Sequence, residues 1–436
     1  MAKRGFLRDT IGVLNSSVVS IVCMLLAVIL LTRILGTQGF GLYYALLVIP
    51  IIVVSFTNLG IRGASIFMIG QKKYSDDKIV SSILLILIFT SLIGIILSIG
   101  AYYIFNEPQY TITIIGLVVL IIPFRLAIVY IAGVFFGKDE IRKANQFEWS
   151  INLLNFILVA ILVWWLKMGL LGAVISISAA NVIVGLYGLY IVFKKFNIVL
   201  KVNTPIIKQL LKLGIMFSFT FFIIQLNYRL DILLLEKLST LHEVGIYSLG
   251  VHIAEQLWQI PFAISVVLFS RTANLKDQSL ITQSTISLAR LSFVLIFILS
   301  IVALVVAPYI IPLVFGADFA PSTDILFLML PGVIILVIFR VLSGQLAGMG
   351  KPHYAAYIFA PALVINIGLN YLWIPKYGGV GAAWASNVSY TVGTIGYWII
   401  YSRILKVDYL EIFKFKKSDI IIFAELKTKL MHKWKT

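Results

Sequence analysis

The chain has 436 residues, of which 61% are hydrophobic and only 12% are charged, and its mean hydropathy is +1.03. About a quarter of the residues in a soluble domain are charged, so this composition excludes an ordinary soluble protein. The single cysteine, Cys23, excludes intrachain disulfides and cysteine-ligated metal sites. Apolar runs of about 20 residues, the length that a helix needs to cross a bilayer, recur from end to end. Because these runs do not alternate as barrel strands do, we predict an all-α integral membrane protein.

We predict about twelve transmembrane helices. The first apolar run is long and lacks a small-residue cleavage site, so we interpret it as a span rather than a signal peptide. The predicted spans are 11–32, 40–61, 79–105, 110–136, 147–166, 170–193, 213–235, 244–270, 288–315, 324–347, 354–374 and 380–402.

The net charge of +17 is explained by membrane topology. Lys and Arg concentrate at the N-terminus, in every second connection and after the last span, whereas the other connections carry only Arg33, Lys167, Lys237 and Lys376. Positive residues are retained on the cytoplasmic side of a membrane, so we place both termini in the cytoplasm and the protein in the cytoplasmic (inner) membrane. We expect these cations to contact the anionic headgroups of membrane lipids, and we expect no nucleic acid.

Polar residues within the first predicted spans mark a candidate interior. Asn58 and Arg62 are four residues apart and share a helix face. Arg62 either reaches the cytoplasmic surface with its long side chain or lines an internal cavity. Arg125 lies in the middle of the fourth span, after Pro123, where it either caps carbonyls freed by the proline or faces a cavity. Charge inside a membrane is costly, which favours the cavity for Arg125.

The chain divides into two halves on either side of a basic connection. Since each half has six predicted spans, both halves start on the same side, and the two form parallel repeats. We predict an N-terminal six-helix lobe (1–193), a basic cytoplasmic linker (194–212), a C-terminal six-helix lobe (213–402) and a basic amphipathic cytoplasmic tail (403–436).

Short motifs recur in the same order in the two halves and indicate an internal duplication. Gly41-Leu-Tyr43 recurs as Gly245-Ile-Tyr247, between the first two spans of each half. Shifts of 211 and 209 residues relate the other two pairs. These are Asn155 with Asn366, and Gly169-Leu-Leu-Gly172-Ala with Gly378-Gly-Val-Gly381-Ala.

The stretch 217–261 carries polar residues on two successive predicted spans. On the first span, Arg229 and Asp231 lie on a polar half of the helix. On the second, one polar stripe includes His252, Glu255, Gln256 and Gln259. Helices in lipid that have a polar face must turn it away from the hydrocarbon, so we place these residues in a shared interior.

A further arginine, Arg340, gives this interior a cationic character. Shifted by 211 residues, Arg340 falls on position 129, one helical turn from Arg125 and on the same face. Together with Arg229 and Arg62, these residues predict a cavity that would accept an anion. Its only acids in this interpretation are Asp231 and Glu255.

Enzyme motifs are absent from the sequence. It contains no nucleotide-binding glycine motif, no HExxH and no Ser-His-Asp grouping in a plausible context, and its four histidines are scattered. We therefore predict a transporter without a metal site or cofactor. A polytopic glycosyltransferase or a polysaccharide polymerase is the more distant alternative, which would require a large outer loop or paired carboxylates near a membrane surface.

Three stretches and a short motif resemble the polysaccharide (O-antigen) flippases of the Wzx type. The stretches are RILGTQGFGLYY (33–44), YRLDILLLEKLSTLHEVGIYS (228–248) and GGVGAAWAS (378–386), and the motif is Asn58-Leu-Gly60. These flippases belong to the multidrug/oligosaccharidyl-lipid/polysaccharide (MOP) exporter superfamily. The resemblance extends over nearly all of residues 5–406, and the order of the stretches adds to its specificity.

The resemblance implies a V-shaped, MATE-like bundle of two six-helix lobes around a cavity that opens alternately to either side. The implied cargo is an undecaprenyl-diphosphate-linked oligosaccharide for O-antigen, capsule or exopolysaccharide synthesis. Arginine suits phosphate, so the substrate-binding candidates are the four arginines and three polar residues for the sugars. They are Arg125, Arg340, Arg229, Arg62, Asn58, Gln256 and Gln259.

The absence of an ATPase motif is consistent with coupling to H⁺ or Na⁺, for which the candidates are Asp231, Glu255 and His252. The lipid-linked oligosaccharide, membrane lipids, a polysaccharide polymerase and a chain-length regulator are the implied partners. Two alternatives lie within the superfamily. A multidrug or cation antiporter would need carboxylates rather than an arginine-rich cavity, and lipid II flippases typically carry two further spans.

Overall fold

The structure is a computed structural model that describes residues 2–105, 107–199, 201–274 and 278–414. Within these ranges it consists of helices and short connections without a β-strand, which confirms the all-α prediction. The α-helices are α1 (Ala2–Thr57), α2 (Ile61–Gln71), α3 (Asp76–Phe105), α4 (Ile112–Val119), α5 (Ile121–Gly137), α6 (Ile141–Val159), α7 (Gly169–Lys195), α8 (Thr204–Leu238), α9 (Leu241–Gln256), α10 (Gln259–Asn274), α11 (Gln278–Phe315), α12 (Ser322–Gly348) and α13 (His353–Leu405). A π-helical turn (Ala160–Trp165) extends α6, and 3₁₀ turns occupy Ala317–Phe319 and Glu411–Phe413.

The lengths of these helices are compatible with twelve spans. In the part of the chain that the structure describes, nine helices are long and apolar enough to cross a membrane, and the bent pair α9–α10 can act as a tenth span. Two of the nine, Val19–Gln71 and His353–Leu405, have 53 residues each. At about 1.5 Å per residue such a helix is roughly 80 Å long, more than twice the thickness of the hydrocarbon core. Each covers two of the predicted spans.

Both long helices are broken where the sequence predicts a turn between spans. Gly36 in α1 has a φ of 63° and Gly378 in α13 has a φ of 54°, and both have non-helical ψ values. Left-handed backbone is accessible to glycine at little cost. The predicted turns therefore exist as breaks at a single glycine rather than as separate loops.

The internal duplication is visible in the backbone. Gly169, the equivalent of Gly378, also has a positive φ, of 57°. Three residues after each of these glycines a second glycine packs on the preceding helix. A Cβ there would lie 3.1 Å from the carbonyl oxygen of Leu162 in the first half and 2.6 Å from that of Trp373 in the second. Leu162 and Trp373 are 211 residues apart, the same shift that relates Asn155 to Asn366.

A second pair of equivalent glycines forms a close and symmetric contact. A Cβ on Gly41 would lie 2.1 Å from the carbonyl oxygen of Leu241, and a Cβ on Gly245 would lie 2.0 Å from that of Thr37. Each glycine thus contacts the residue four positions before the other, as expected for a local two-fold relation. The Thr37 hydroxyl also hydrogen-bonds His242 Nδ1 at 2.7 Å.

We expect Gly245→Ala to lower the melting temperature of the purified protein, because the added methyl group would clash with the Thr37 backbone carbonyl. Overpacking of this kind typically costs about 1–3 kcal/mol. The matched control is Gly100→Ala in α3, where an added Cβ meets nothing within 4 Å. Equal melting temperatures for the two variants would contradict the close contact.

The chain forms two compact units. The first consists of Met1–Gly245 with Pro312–Phe319, and the second of Ile246–Ile311 with Ala320–Thr436. The first includes α8, which packs against α1, α2 and α3. Because α8 begins at Thr204, the second part of the predicted linker is a continuous extension of this helix. The four predicted segments stay a prediction, and the tail beyond residue 414 lies outside the described residues.

Ion pairs join the helix ends of the first unit where the sequence predicts cytoplasmic connections. Lys138 Nζ lies 2.6 Å from an Asp76 carboxylate oxygen, and Lys143 Nζ lies 2.8 Å from Glu140, which also pairs with Lys195. Although partial burial acts to raise it, hydrogen bonds from Lys143 and Lys195 hold the pKa of the Glu140 carboxyl below its usual value. Some of the lysines in the predicted cytoplasmic connections therefore form ion pairs with carboxylates at helix ends.

Candidate functional site

Arg125 forms a salt bridge with Glu148 in the first compact unit. Arg125 lies in α5 and Glu148 in α6, which pack against each other. Nη1 is 3.2 Å from Oε2, and Nη2 is 3.4 Å and 3.3 Å from Oε1 and Oε2. The two side chains are 34% and 47% exposed. Both side chains are therefore only partly buried, although Arg125 lies within a candidate span.

Sequence reasoning missed Glu148 and named only Asp231 and Glu255 as acids of the interior. Glu148 is the second residue of the predicted span 147–166, a place where a carboxylate can be taken for a solvated helix end. The signal that could have found it is the intramembrane Arg125, because a charge in a span usually pairs with another. The structure also shows that Arg125 contacts this carboxylate, which the proline-capping alternative did not include.

Arg62 lies beside this pair. Its guanidinium stands over the ring of Phe136, 4.9 Å from the ring centroid. Helices α2 and α5 approach closely there, since a Cβ on Gly133 would be 2.9 Å from Arg62 Cα. The charges of Arg125 and Glu148 both act on Arg62. We call Arg62, Arg125 and Glu148 the arginine cluster; two guanidinium groups and one carboxylate leave it with a single net positive charge.

Helix α8 contributes the other predicted polar residues of the first unit. Asp231 is 1% exposed, and its Oδ1 accepts a hydrogen bond from the Ile232 backbone N–H at 2.8 Å. Asn227 is fully buried and Arg229 is half-buried. Apolar residues of the same helix, such as Leu233 and Leu234, are buried as well, so burial does not single out the polar half of α8. The roles of Arg229 and Asp231 in binding and coupling stay predictions.

Arg340 of the second unit has an aromatic partner. Its guanidinium lies over the Trp258 ring, 4.1 Å from the ring centroid. Trp258 is held by a 3.3 Å hydrogen bond from its Nε1 to the Val333 carbonyl and by an edge contact with Tyr390, with ring centroids 5.8 Å apart. Contact with an aromatic face restricts the plane of an arginine guanidinium. Sequence reasoning found Arg340 but not Trp258.

Two predicted sugar-binding amides bond to their own helix ends. Asn58 donates to the carbonyls of Val54 and Ser55 at 3.1 Å and 2.9 Å and accepts from Gly60 N at 2.8 Å, in the turn between α1 and α2. Gln256 donates to the His252 carbonyl at 3.0 Å, where α9 bends by 48° into α10. These bonds stabilise helix breaks. A part in sugar binding for Asn58 and Gln256 stays a prediction.

The remaining predicted residues lie near the same bend. His252 and Glu255 are half-buried and three residues apart on α9, so they share a helix face. Gln259 is exposed at the start of α10. Of the candidates, the structure thus brings together Arg62 and Arg125, while Arg340, His252, Glu255, Gln256 and Gln259 belong to the second unit.

Comparison with known proteins gives a family and a fold. A family model described as "Polysaccharide biosynthesis protein" matches residues 6–273, more than half of the chain. The chain is 27% identical to an uncharacterised membrane protein of Methanocaldococcus jannaschii, over 90% of this chain and 97% of the relative. It is 26% identical to the capsular polysaccharide biosynthesis protein CapF of Staphylococcus aureus, over 89% of this chain and 97% of the relative.

Solved structures with a similar fold are transporters. An inward-facing multidrug resistance MATE family transporter of the MOP superfamily aligns with a TM-score of 0.70 at 15% identity, covering 89% of this chain and 94% of that one. The lipid II flippase MurJ, in an inward closed conformation, aligns with a TM-score of 0.67 at 16% identity, covering 97% and 93%. At these identities the likeness establishes the MOP-type helical fold.

Proposed function

Because the chain belongs to the polysaccharide biosynthesis protein family, we propose that it is a flippase for polysaccharide synthesis. It moves undecaprenyl-diphosphate-linked oligosaccharide repeat units from the inner to the outer leaflet of the cytoplasmic membrane. The repeat units serve O-antigen, capsule or exopolysaccharide synthesis. The protein acts as a transporter and not as an enzyme, by alternating access, with both termini in the cytoplasm.

The observation that carries this proposal is the arginine cluster. A diphosphate needs cations with several N–H donors, and guanidinium groups bind phosphate with paired hydrogen bonds. Arg125 and Arg62 supply such donors from α5 and α2, inside segments that are otherwise apolar. A cluster with net positive charge repels a cationic drug, so it disfavours a multidrug antiporter.

Glu148 acts as the resident counter-ion of Arg125 when no substrate is bound. The Arg125–Glu148 distances of 3.2–3.4 Å are longer than the roughly 2.7–2.9 Å of strong charge-assisted bonds. Because both side chains are partly exposed, their attraction is weakened by solvent. A diphosphate carries more negative charge than one carboxylate and can displace Glu148 from Arg125.

Arg229 of the first compact unit and Arg340 of the second are the further candidates for contact with phosphate. Trp258 orients the Arg340 guanidinium, and we assign this group to a phosphate oxygen. Sugar hydroxyls meet Asn58, Gln256 and Gln259. H⁺ or Na⁺ drives the cycle, with Asp231, Glu255 and His252 as the coupling residues. A polymerase and a chain-length regulator take over the repeat unit after translocation.

Deletion of the gene in its host tests this function. We expect surface glycan to be lost and lipid-linked repeat units to accumulate inside the cell, with both effects reversed by the wild-type gene. Extracted lipid intermediates distinguish the two lipid-diphosphate cargoes, since a lipid II flippase would accumulate the peptidoglycan precursor instead. Unchanged surface glycan in the deletion strain would overturn the proposal.

A further inference from the structure

A buried carboxylate at the end of α8 lies outside the candidate site. Glu236 is 7% exposed. Its two carboxylate oxygens lie 2.8 Å and 2.7 Å from the hydroxyl of Tyr110, which donates to them. Sequence reasoning treated this residue as part of an outer connection next to Lys237. The structure shows instead that the side chain points into the protein.

Tyr110 is held in a fixed position by a second tyrosine. Tyr110 precedes α4, and its ring packs edge-on against Tyr102 of α3, with centroids 5.4 Å apart. The Tyr102 hydroxyl donates to the Leu46 carbonyl of α1 at 2.5 Å. Both rings are buried. Helices α1 and α3 and the start of α4 thus position one hydroxyl group on the carboxylate of α8.

The charges near Glu236 do not neutralise its carboxylate. Among the described residues, no Lys or Arg is paired with its carboxylate. The charge of Glu107, before α4, acts on it with the same sign. The neighbouring Lys237 is exposed, and its ammonium stands 5.9 Å from the Phe105 ring centroid. An unpaired buried carboxylate is costly, and the group escapes that cost by binding a proton.

We propose that Glu236 is a proton-binding site of the carrier, with Tyr110 as its hydrogen-bond donor. The carboxylate takes up one proton and becomes a neutral carboxyl, and it returns the proton when the site opens. On the predicted topology α8 ends at the outer surface, so the proton exchanges with the outside. That the proton drives translocation rests on the proposed function; that Glu236 binds a proton does not.

A Na⁺ ion is a poorer occupant of this place. Hard cations need several oxygen ligands, whereas within the described part of the chain the only hydrogen-bond partner of the two Glu236 oxygens is the Tyr110 hydroxyl. A single donor hydroxyl suits a carboxyl that alternates between charged and neutral forms, because Tyr110 can donate to either form. We therefore assign a proton, rather than Na⁺, to this site.

Infrared difference spectroscopy of the purified full-length protein in lipid tests the proposal without any cargo. Between about pH 5 and about pH 9 we expect one buried carboxyl C=O band to appear on acidification in the wild type. The band should be missing in Glu236→Gln and present in the matched control Glu107→Gln. Tyr110→Phe, which keeps the ring, should change both the frequency of the band and the midpoint of its titration.

Two outcomes would overturn the proposal. One is a Glu236→Gln spectrum identical to that of the wild type. The other is a Glu236 band that stays constant over the whole pH range, as expected for a permanently protonated structural group. Since the measurement uses no lipid-linked sugar, it gives its result even if gene deletion leaves surface glycan unchanged, and the two proposals fail separately.

Discussion

Replacing Arg125 by alanine is expected to abolish surface glycan in complemented cells while the protein is made at its normal level. The substitution removes the donors that we assign to the diphosphate and leaves Glu148 in their place. A hydrogen bond to a charged group contributes about 2 kcal/mol, which corresponds to roughly 30-fold in affinity. Substitution of one partner also leaves the other charge uncompensated, so the combined effect should be at least this large.

The double variant Arg125→Ala/Glu148→Gln separates transport from folding. It removes both charges, so the protein should regain any stability lost in the single variant, but without the guanidinium it should not display glycan. Arg125→Lys should retain part of the function, because it keeps the charge without the paired geometry. Arg403→Ala, at the end of α13 and exposed, serves as the control. Normal glycan display in Arg125→Ala would contradict a role for Arg125 in cargo binding.

Arg340→Ala is expected to reduce glycan display by more than tenfold. The substitution removes the guanidinium that Trp258 orients and that we assign to the diphosphate. Trp258→Leu should have a smaller effect of the same kind, because it keeps the guanidinium and removes the cation–π contact of about 1–2 kcal/mol together with the Nε1 hydrogen bond to Val333. Glycan display at matched protein level is the measurement for both variants. Accumulated lipid-linked repeat units in the same cells would show that transport, rather than synthesis, is lost.

A second substitution at Trp258 separates the effect of the ring from that of its hydrogen bond. Trp258→Phe keeps a ring under Arg340 and loses the Nε1 hydrogen bond to the Val333 carbonyl. If orientation of Arg340 by the ring matters, Trp258→Phe should display more glycan than Trp258→Leu. A wild-type level of glycan in Arg340→Ala would remove Arg340 from the binding site.

Hydrophobic runs predict the spans and the breaks at Gly36 and Gly378, but not the breaks after Thr57 and after Gln256, which fall inside predicted spans. The spans and the turns at Gly36 and Gly378 follow from run length and from the backbone freedom of glycine. Run length could not show that α8 extends from Thr204 without interruption, because a basic stretch beside a span is equally compatible with a separate helix. It also could not assign α8 to the first compact unit, which depends on packing between distant segments.

The candidate site was only partly predictable because its partners are distant in sequence. Arg125 was identified from its depth in a span, but Glu148 was not, since nothing local relates a residue of α5 to one of α6. Asn58 was identified as polar in a span. Its amide bonds to its own backbone, a competition that local sequence allows but does not decide. The contact between Tyr110 and Glu236 joins residues 126 positions apart.

The central claim is that the protein moves a lipid-linked oligosaccharide between leaflets. The most direct test is reconstitution of the purified protein into liposomes that contain lipid-linked oligosaccharide extracted from the host. A membrane-impermeant glycosidase added outside then reports the accessible pool. We predict that the wild-type protein makes the protected inner-leaflet pool accessible and that Arg125→Ala does not. If the inner pool stays protected with the wild-type protein, or becomes equally accessible with Arg125→Ala, the cationic-site flippase is contradicted.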